Sequence, residues 1–108
     1  MSTVSIRKTH GEDYASIKTV VDQVIADLGG LEDIIKPGYK VIIKPNLVAC
    51  PTERLSGGVT RWEVCLAIYE AVKAVGGEPV IAESSAAGAD TELTIAKCGY
   101  QELRDKGI

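Results

Sequence analysis

The sequence predicts an α/β fold, built as a three-layer α/β/α arrangement around a small, mainly parallel sheet. Two observations carry this. Short apolar, β-branched runs alternate with longer amphipathic stretches, and Gly-Gly or Pro-Gly pairs stand at the junctions. The order strand, helix, strand, helix, strand, helix implies right-handed crossovers, and hence parallel strands covered by helices.

The elements follow in order. Val4-Ser5-Ile6-Arg7 alternates apolar and polar, which predicts a short half-exposed strand. Lys8 to Glu12 form a polar turn around Gly11. Ile17, Val20, Val21, Val24, Ile25 and Leu28 then recur at helical spacing, and Gly29-Gly30 stops that helix. Leu31 to Ile35 add a helical turn, and Pro37-Gly38 turns the chain into a second strand, Lys40 to Ile43. A connection of roughly 15 residues runs from Lys44 to Val59; ones so long are uncommon in compact domains and are often functional or mobile. Thr60-Arg61-Trp62-Glu63 fits a capping box, with the Thr60 hydroxyl accepting from the Glu63 amide. The helix it opens, residues 61–75, is apolar nearly all round and is therefore expected to be mostly buried. Gly76-Gly77 closes it. Pro79 to Ala82 form a third strand with Pro at its tolerated first position. Thr91 to Cys98 and Tyr100 to Lys106 are short helices ended by Gly99 and Gly107.

Composition bounds the partners. Of 108 residues, 45% are apolar and 25% charged, an ordinary globular balance for one domain over residues 1–108. Twelve basic against fifteen acidic residues give a net charge of -3, which argues against nucleic acid or an anionic membrane as the main partner. No apolar run reaches membrane-span length and no secretory leader opens the chain, so the default compartment is the cytoplasm. Cys50, Cys65 and Cys98 form no C-x-x-C pair, so neither a zinc knuckle nor a ferredoxin motif is expected. Cys65 reads as a small core residue. His10, the single histidine, reads as part of a surface turn, which leaves a His-based triad without support. No G-x-G-x-x-G, P-loop or G-x-S-x-G motif occurs. The apolar helix 61–75 and the stop at Gly107-Ile108, where another strand is expected, read as the amino-terminal part of a longer domain. The same helix is a candidate for self-association.

Candidate ligand-binding residues gather at two strand ends. Lys44 and Asn46 follow the apolar run Val41-Ile42-Ile43, and Glu83, Ser84 and Ser85 follow Val80-Ile81-Ala82. In a parallel sheet these ends share one rim, the edge at which open α/β sheets bind ligands. Thr60 joins them at a helix start. Lys44 supplies a positive charge, and hydroxyls with helix amides suit a phosphate or carboxylate, so a small anionic molecule is the expected ligand. Two other readings stand beside this one. Lys44 and Glu83 form a structural ion pair while Thr60 only caps and Asn46 only holds a turn; or Glu83, Asp90 and Asn46 hold a divalent cation, for which no spacing motif speaks.

Lys36-Pro37-Gly38-Tyr39-Lys40-Val41-Ile42-Ile43-Lys44-Pro45-Asn46-Leu47-Val48 resembles the signature KPGDKVLIKPNLV of domain-of-unknown-function family 362. Gly58-Val59-Thr60 with Glu63-Val64, then Gly76-Gly77 and Val80 to Ser85, resemble later segments of that family, as do Thr91-Glu92 and Cys98 to Leu103. The resemblance implies that the chain is the amino-terminal part of a longer family domain. The family is often found with iron–sulfur ferredoxin motifs. No cofactor is expected within this chain, and an iron–sulfur cluster is implied only for a region not present here. Two alternatives to anion binding follow: the cluster-free half of a redox protein, or a structural and interaction module. Where the family carries His-Pro, this sequence has Arg61-Trp62, so a role for that histidine does not transfer. The family has no established reaction, and the sequence assigns none.

Overall fold

A computed structural model describes residues 2–47, 58–84 and 90–108. Six elements run through them: α1 (Tyr14–Asp27), β1 (Lys40–Ile43), α2 (Trp62–Ala74), β2 (Glu78–Ile81), α3 (Thr91–Lys97) and α4 (Gln101–Asp105). The α/β class and the parallel sheet stand. β1 and β2 pair in parallel, with Ile42 beside Val80 and Ile43 beside Ile81.

α1 begins where Asp13 caps it. The Asp13 carboxylate accepts from the Ser16 amide at 3.1 Å and the Ser16 hydroxyl at 2.6 Å, satisfying an otherwise orphaned helix donor. The helix ends at Gly29 and Gly30, with φ of 98° and 78°, and the Gly30 amide bonds the Ile25 carbonyl at 2.9 Å. The apolar stripe of α1 faces α2. Ile17 is fully buried and Leu28 lies 51% exposed at the far end. Tyr14 ties the two helices together by donating to Glu70 at 2.8 Å. Leu31 to Ile35 form the expected single turn, with the Ile35 amide on the Leu31 carbonyl at 2.8 Å.

α2 is the central element. It packs against α1, both strands and α4, and it buries Cys65, Leu66, Ala67 and Val72. That is the physical reason its sequence is apolar nearly all round: its apolar surface serves its own chain on several sides. The main core lies between α2, the inward face of β1 and the α3–α4 pair. Ile43, Leu47, Val59, Leu66, Cys98 and Leu103 meet there. Tyr100 closes the core with its hydroxyl, which donates to the Thr60 carbonyl at 2.6 Å and lies 3.4 Å from Cys65 Sγ. Burial pushes both the Tyr100 phenol and the Cys65 thiol up from their ordinary ionisation range.

Three expectations are corrected. Residues 4–7 form no strand; Val4 and Ile6 are 79% and 89% exposed, while Ser5 and Arg7, on the alternate side, reach Asp27. The alternation was real, but it serves an extended segment tethered to the end of α1, not a sheet ladder. The sheet described is therefore two-stranded. Its other face carries Ile42 and Val80, 73% and 53% exposed, with no helix over them among the described residues. The second correction concerns β2, which starts one residue early, at Glu78. The Glu78 and Ala82 amides donate to the Tyr39 and Ile43 carbonyls at 2.8 and 3.1 Å. With a period of two, the Pro79 nitrogen points to the opposite edge, so the missing donor costs the ladder nothing. The third is the capping box. α2 begins at Trp62, and its N-cap, Arg61, makes no side-chain cap bond; the Thr60 hydroxyl is engaged elsewhere.

No described helix is long and apolar enough to cross a membrane.

Two substitutions test this packing. A Cβ at Gly77 would stand 2.7 Å from Val72 Cγ1 and 3.0 Å from Ile35 Cγ2. Gly77→Ala is expected to destabilise by about 1–3 kcal/mol through overpacking, read as a fall of several degrees in Tm. Tyr100→Phe strands the Thr60 carbonyl in the core and is expected to lower the urea midpoint by about 1–2 kcal/mol of stability at an unchanged m-value. A neutral Tyr100→Phe would show that the hydroxyl does not join α4 to the start of α2.

Candidate functional site: the rim at the carboxyl ends of β1 and β2

The parallel pairing sets both strand ends side by side, so Lys44 and Glu83 are neighbours on one rim. Their side chains meet at 2.9 Å. The pair is lopsided. The Glu83 side chain is 6% exposed, whereas that of Lys44 is 67% exposed. The strand period explains this. Glu83 continues the inward series Pro79, Ile81, while Lys44 continues the outward series Lys40, Ile42.

A buried carboxylate needs donors, and Glu83 has two. Lys44 Nζ donates to Oε2 at 2.9 Å and the Ser84 amide donates to Oε1 at 2.8 Å. The bond from Lys44 is the main reason Glu83 titrates below the usual carboxylate range, against the opposing pull of burial. Lys44 uses one of its three donors on Glu83. The others have no partner among the described residues.

Asn46 and Thr60 join the rim to the approach to α2. The Asn46 amide donates to the Thr60 hydroxyl at 3.0 Å, and the Thr60 amide donates to the Asn46 carbonyl at 2.8 Å. The Asn46 side-chain amide donates to the Gly58 carbonyl at 3.1 Å. Thr60 thus accepts from and donates to Asn46 while its own carbonyl receives Tyr100. Pro45 is buried between Ile43 and Leu47, and burying Leu47 and Val59 at either end of the connection anchors both flanks, each worth about 1.5–3 kcal/mol.

Of the residues expected at the site, Lys44, Asn46, Thr60, Glu83 and Ser84 are brought to this rim, while Ser85 lies outside the described residues. They divide by role. Thr60 and the Asn46 backbone are consumed by the clasp, whereas Lys44 and the exposed Ser84 hydroxyl face outward. Neither Thr60 nor Ser84 stands at a free helix terminus. The first turn of α2 holds Glu63, buried and paired with Arg61 at 3.0 Å. α3 is capped by Asp90, which accepts from the Leu93 amide at 3.0 Å. Asp90 is thereby committed away from Glu83. Among the described residues no three His, Cys, Asp or Glu side chains are grouped to hold a metal ion. Cys65 and Cys98 are buried in the core and form no disulfide among the described residues, and Cys50 lies outside them.

Sequence reasoning missed Tyr100. A tyrosine directly after a helix-ending glycine in a chain with five aromatics is a signal for a buried hydroxyl needing a partner. Arg61, which stands where the resembled family carries histidine, has a structural task. Its guanidinium pairs with Glu63 and donates to the Glu12 carbonyl at 2.9 Å, tying α2 to the loop before α1.

Comparison with known proteins shows the family of this chain. A thylakoid-associated protein of Synechocystis sp., sll1697, is 31% identical over 90 residues, covering 82% of this chain and 27% of that protein. The chain therefore spans about a quarter of the length of the curated relative it matches. No solved structure matches it. The family model described as domain of unknown function DUF362 matches residues 41–108, from β1 through α4 and including the whole described rim. The chain belongs to the DUF362 family.

Proposed function

We propose that this chain is an anion-binding α/β module whose site is the strand-end rim, with Lys44 as the binding cation and Glu83 as the residue that positions it. The single observation behind the reading is the unequal exposure of the pair. A carboxylate with 6% side-chain exposure holds a lysine that is 67% exposed. A pair made only for stability gains from shared burial or from full exposure of both partners. Here the acid is sunk against two donors and the ammonium stands outside, its other two donors without a partner among the described residues.

The chemistry follows from that placement. Lys44 is a compact point charge, and the Ser84 hydroxyl beside Glu83 adds a short polar arm. Such a set suits one small oxyanion, a phosphate or a carboxylate, held by charge-assisted bonds. Fixing Lys44 in advance reduces the side-chain entropy lost when the anion binds. Asn46 and Thr60 do not touch the ligand in this reading; they hold the backbone on which Lys44 stands.

Two measurements test it. Calorimetric titration of the chain with inorganic phosphate and with acetate is expected to show saturable uptake of at least one. Lys44→Ala is expected to weaken it about tenfold or more, the loss of one charge-assisted contact. A wild-type chain that takes up neither anion overturns the reading and leaves the pair purely structural. The Glu83 shift also makes a pH prediction. Its folded value lies below the ordinary one, so its stabilising effect is present above the ordinary carboxylate range and is lost as pH falls through the folded value. The stability difference between wild type and Glu83→Gln is therefore expected to be largest near neutrality and to shrink towards pH 3. A difference independent of pH would show that the Glu83 charge is not held by Lys44.

A further inference from the structure

A sizeable concavity lies away from the rim residues. It is a groove of about 560 Å³ between the extended segment at residues 7–10 and one stripe of α1. Arg7, Lys8 and His10 line one wall; Ser16, Thr19 and Gln23 line the other, at the spacing of a single helix face. No acidic side chain lines it, although the chain as a whole carries a net charge of -3.

The donors in this groove are of two kinds. Arg7 is fixed: its Nε and Nη2 grip Asp27 at 2.6 and 2.8 Å, with Ser5 adding a third bond at 2.7 Å. That contact, led by Arg7, lowers the Asp27 carboxyl to about 2, so the clamp persists throughout the neutral range. It leaves Nη1 of Arg7 unused. Lys8, His10 and Gln23 have no hydrogen-bond or ion-pair partner among the described residues. Lys18, Lys44, Arg61 and Arg104 each sit against a carboxylate, whereas Lys8, like Lys40, Lys97 and Lys106, does not. What sets Lys8 apart is its place in a concave surface beside a histidine, an amide and the free edge of an arginine with no carboxylate on the walls, a set suited to an anion brought from outside.

We infer that this groove is a second binding site, separate from the rim, for a phosphate-bearing ligand held by Lys8, His10, Gln23 and the free edge of Arg7. The geometry favours phosphate over a single carboxylate. Four donors on two facing walls match an anion with three or more oxygens, and the groove volume admits an organic group beside it. It lies outside residues 41–108, so it is not part of the segment that matches the family. Val4 and Ile6 stand exposed on the same extended segment, one turn of chain before the cations. The phosphate therefore has two possible sources, a free phosphate ester or the headgroup of an anionic lipid, and both present the same chemistry to the groove.

The test is a backbone-amide NMR titration of the whole chain with inorganic phosphate, run beside co-sedimentation with vesicles of phosphatidylglycerol and of phosphatidylcholine. Shifts at residues 8, 10, 16, 19 and 23 on adding phosphate, undiminished in Lys44→Ala, support the inference with a free phosphate as ligand. Sedimentation with phosphatidylglycerol but not phosphatidylcholine vesicles supports it with a lipid headgroup. In either case Lys8→Ala with His10→Ala is expected to weaken binding about tenfold or more, and Thr19→Glu, which sets a carboxylate in the wall, is expected to abolish it. All these positions are at the surface, and an unchanged circular dichroism spectrum confirms the fold of each variant. Absence of both responses, or binding that survives Thr19→Glu, overturns the inference. Shifts confined to residues 44–46 and 83–84 would overturn it while leaving the rim reading intact.

Discussion

A carboxylate that points into a protein must be neutralised where it stands, and the rim is arranged around that demand. Glu83 ends the inward-facing series of β2, so its charge arrives beside the core. Lys44, just beyond β1, and the amide of Ser84 converge on it. The two strand ends are thereby fixed relative to one another by one acidic side chain. The clasp between Asn46 and Thr60 extends the same constraint to the start of α2, and Tyr100 extends it from Thr60 to α4. Removing the Glu83 charge would leave Lys44 without its counter-charge and weaken the bond from the Ser84 amide, a larger change than the loss of one surface ion pair.

Much of this was legible in the residues, and the failures have physical causes. The helix over Ile17 to Leu28 was readable because an amphipathic stripe and a double-glycine stop agree. The rim was readable because Lys44 and Glu83 follow two β-branched runs whose parallel pairing sets their ends side by side. Thr60 was misread because a hydroxyl three residues before a glutamate satisfies a helix amide in isolation. In the fold a better-placed acceptor was needed two segments away, at Asn46, and the helix began later. Val4 to Arg7 were misread because alternation reports two unlike faces but not what covers them. Arg7 and Ser5 found a carboxylate on α1 in place of a neighbouring strand, and that distant partner left no mark on the local pattern.

The molecule presents three unlike surfaces. The rim offers a positioned cation, the groove beside α1 offers unpartnered donors, and the sheet face around Ile42 and Val80 is apolar and open among the described residues. The first lies in the part matching the family and the second does not.

The central claim is that Glu83 holds Lys44 ready for an anion. It is tested most directly by a high-resolution crystal structure of the chain soaked in phosphate. The expected result is density for a tetrahedral anion within hydrogen-bond distance of Lys44 Nζ and Ser84 Oγ, with the Lys44–Glu83 bond intact. Glu83 turned out to solvent, or Lys44 drawn away from it with no anion at the rim, would contradict the claim.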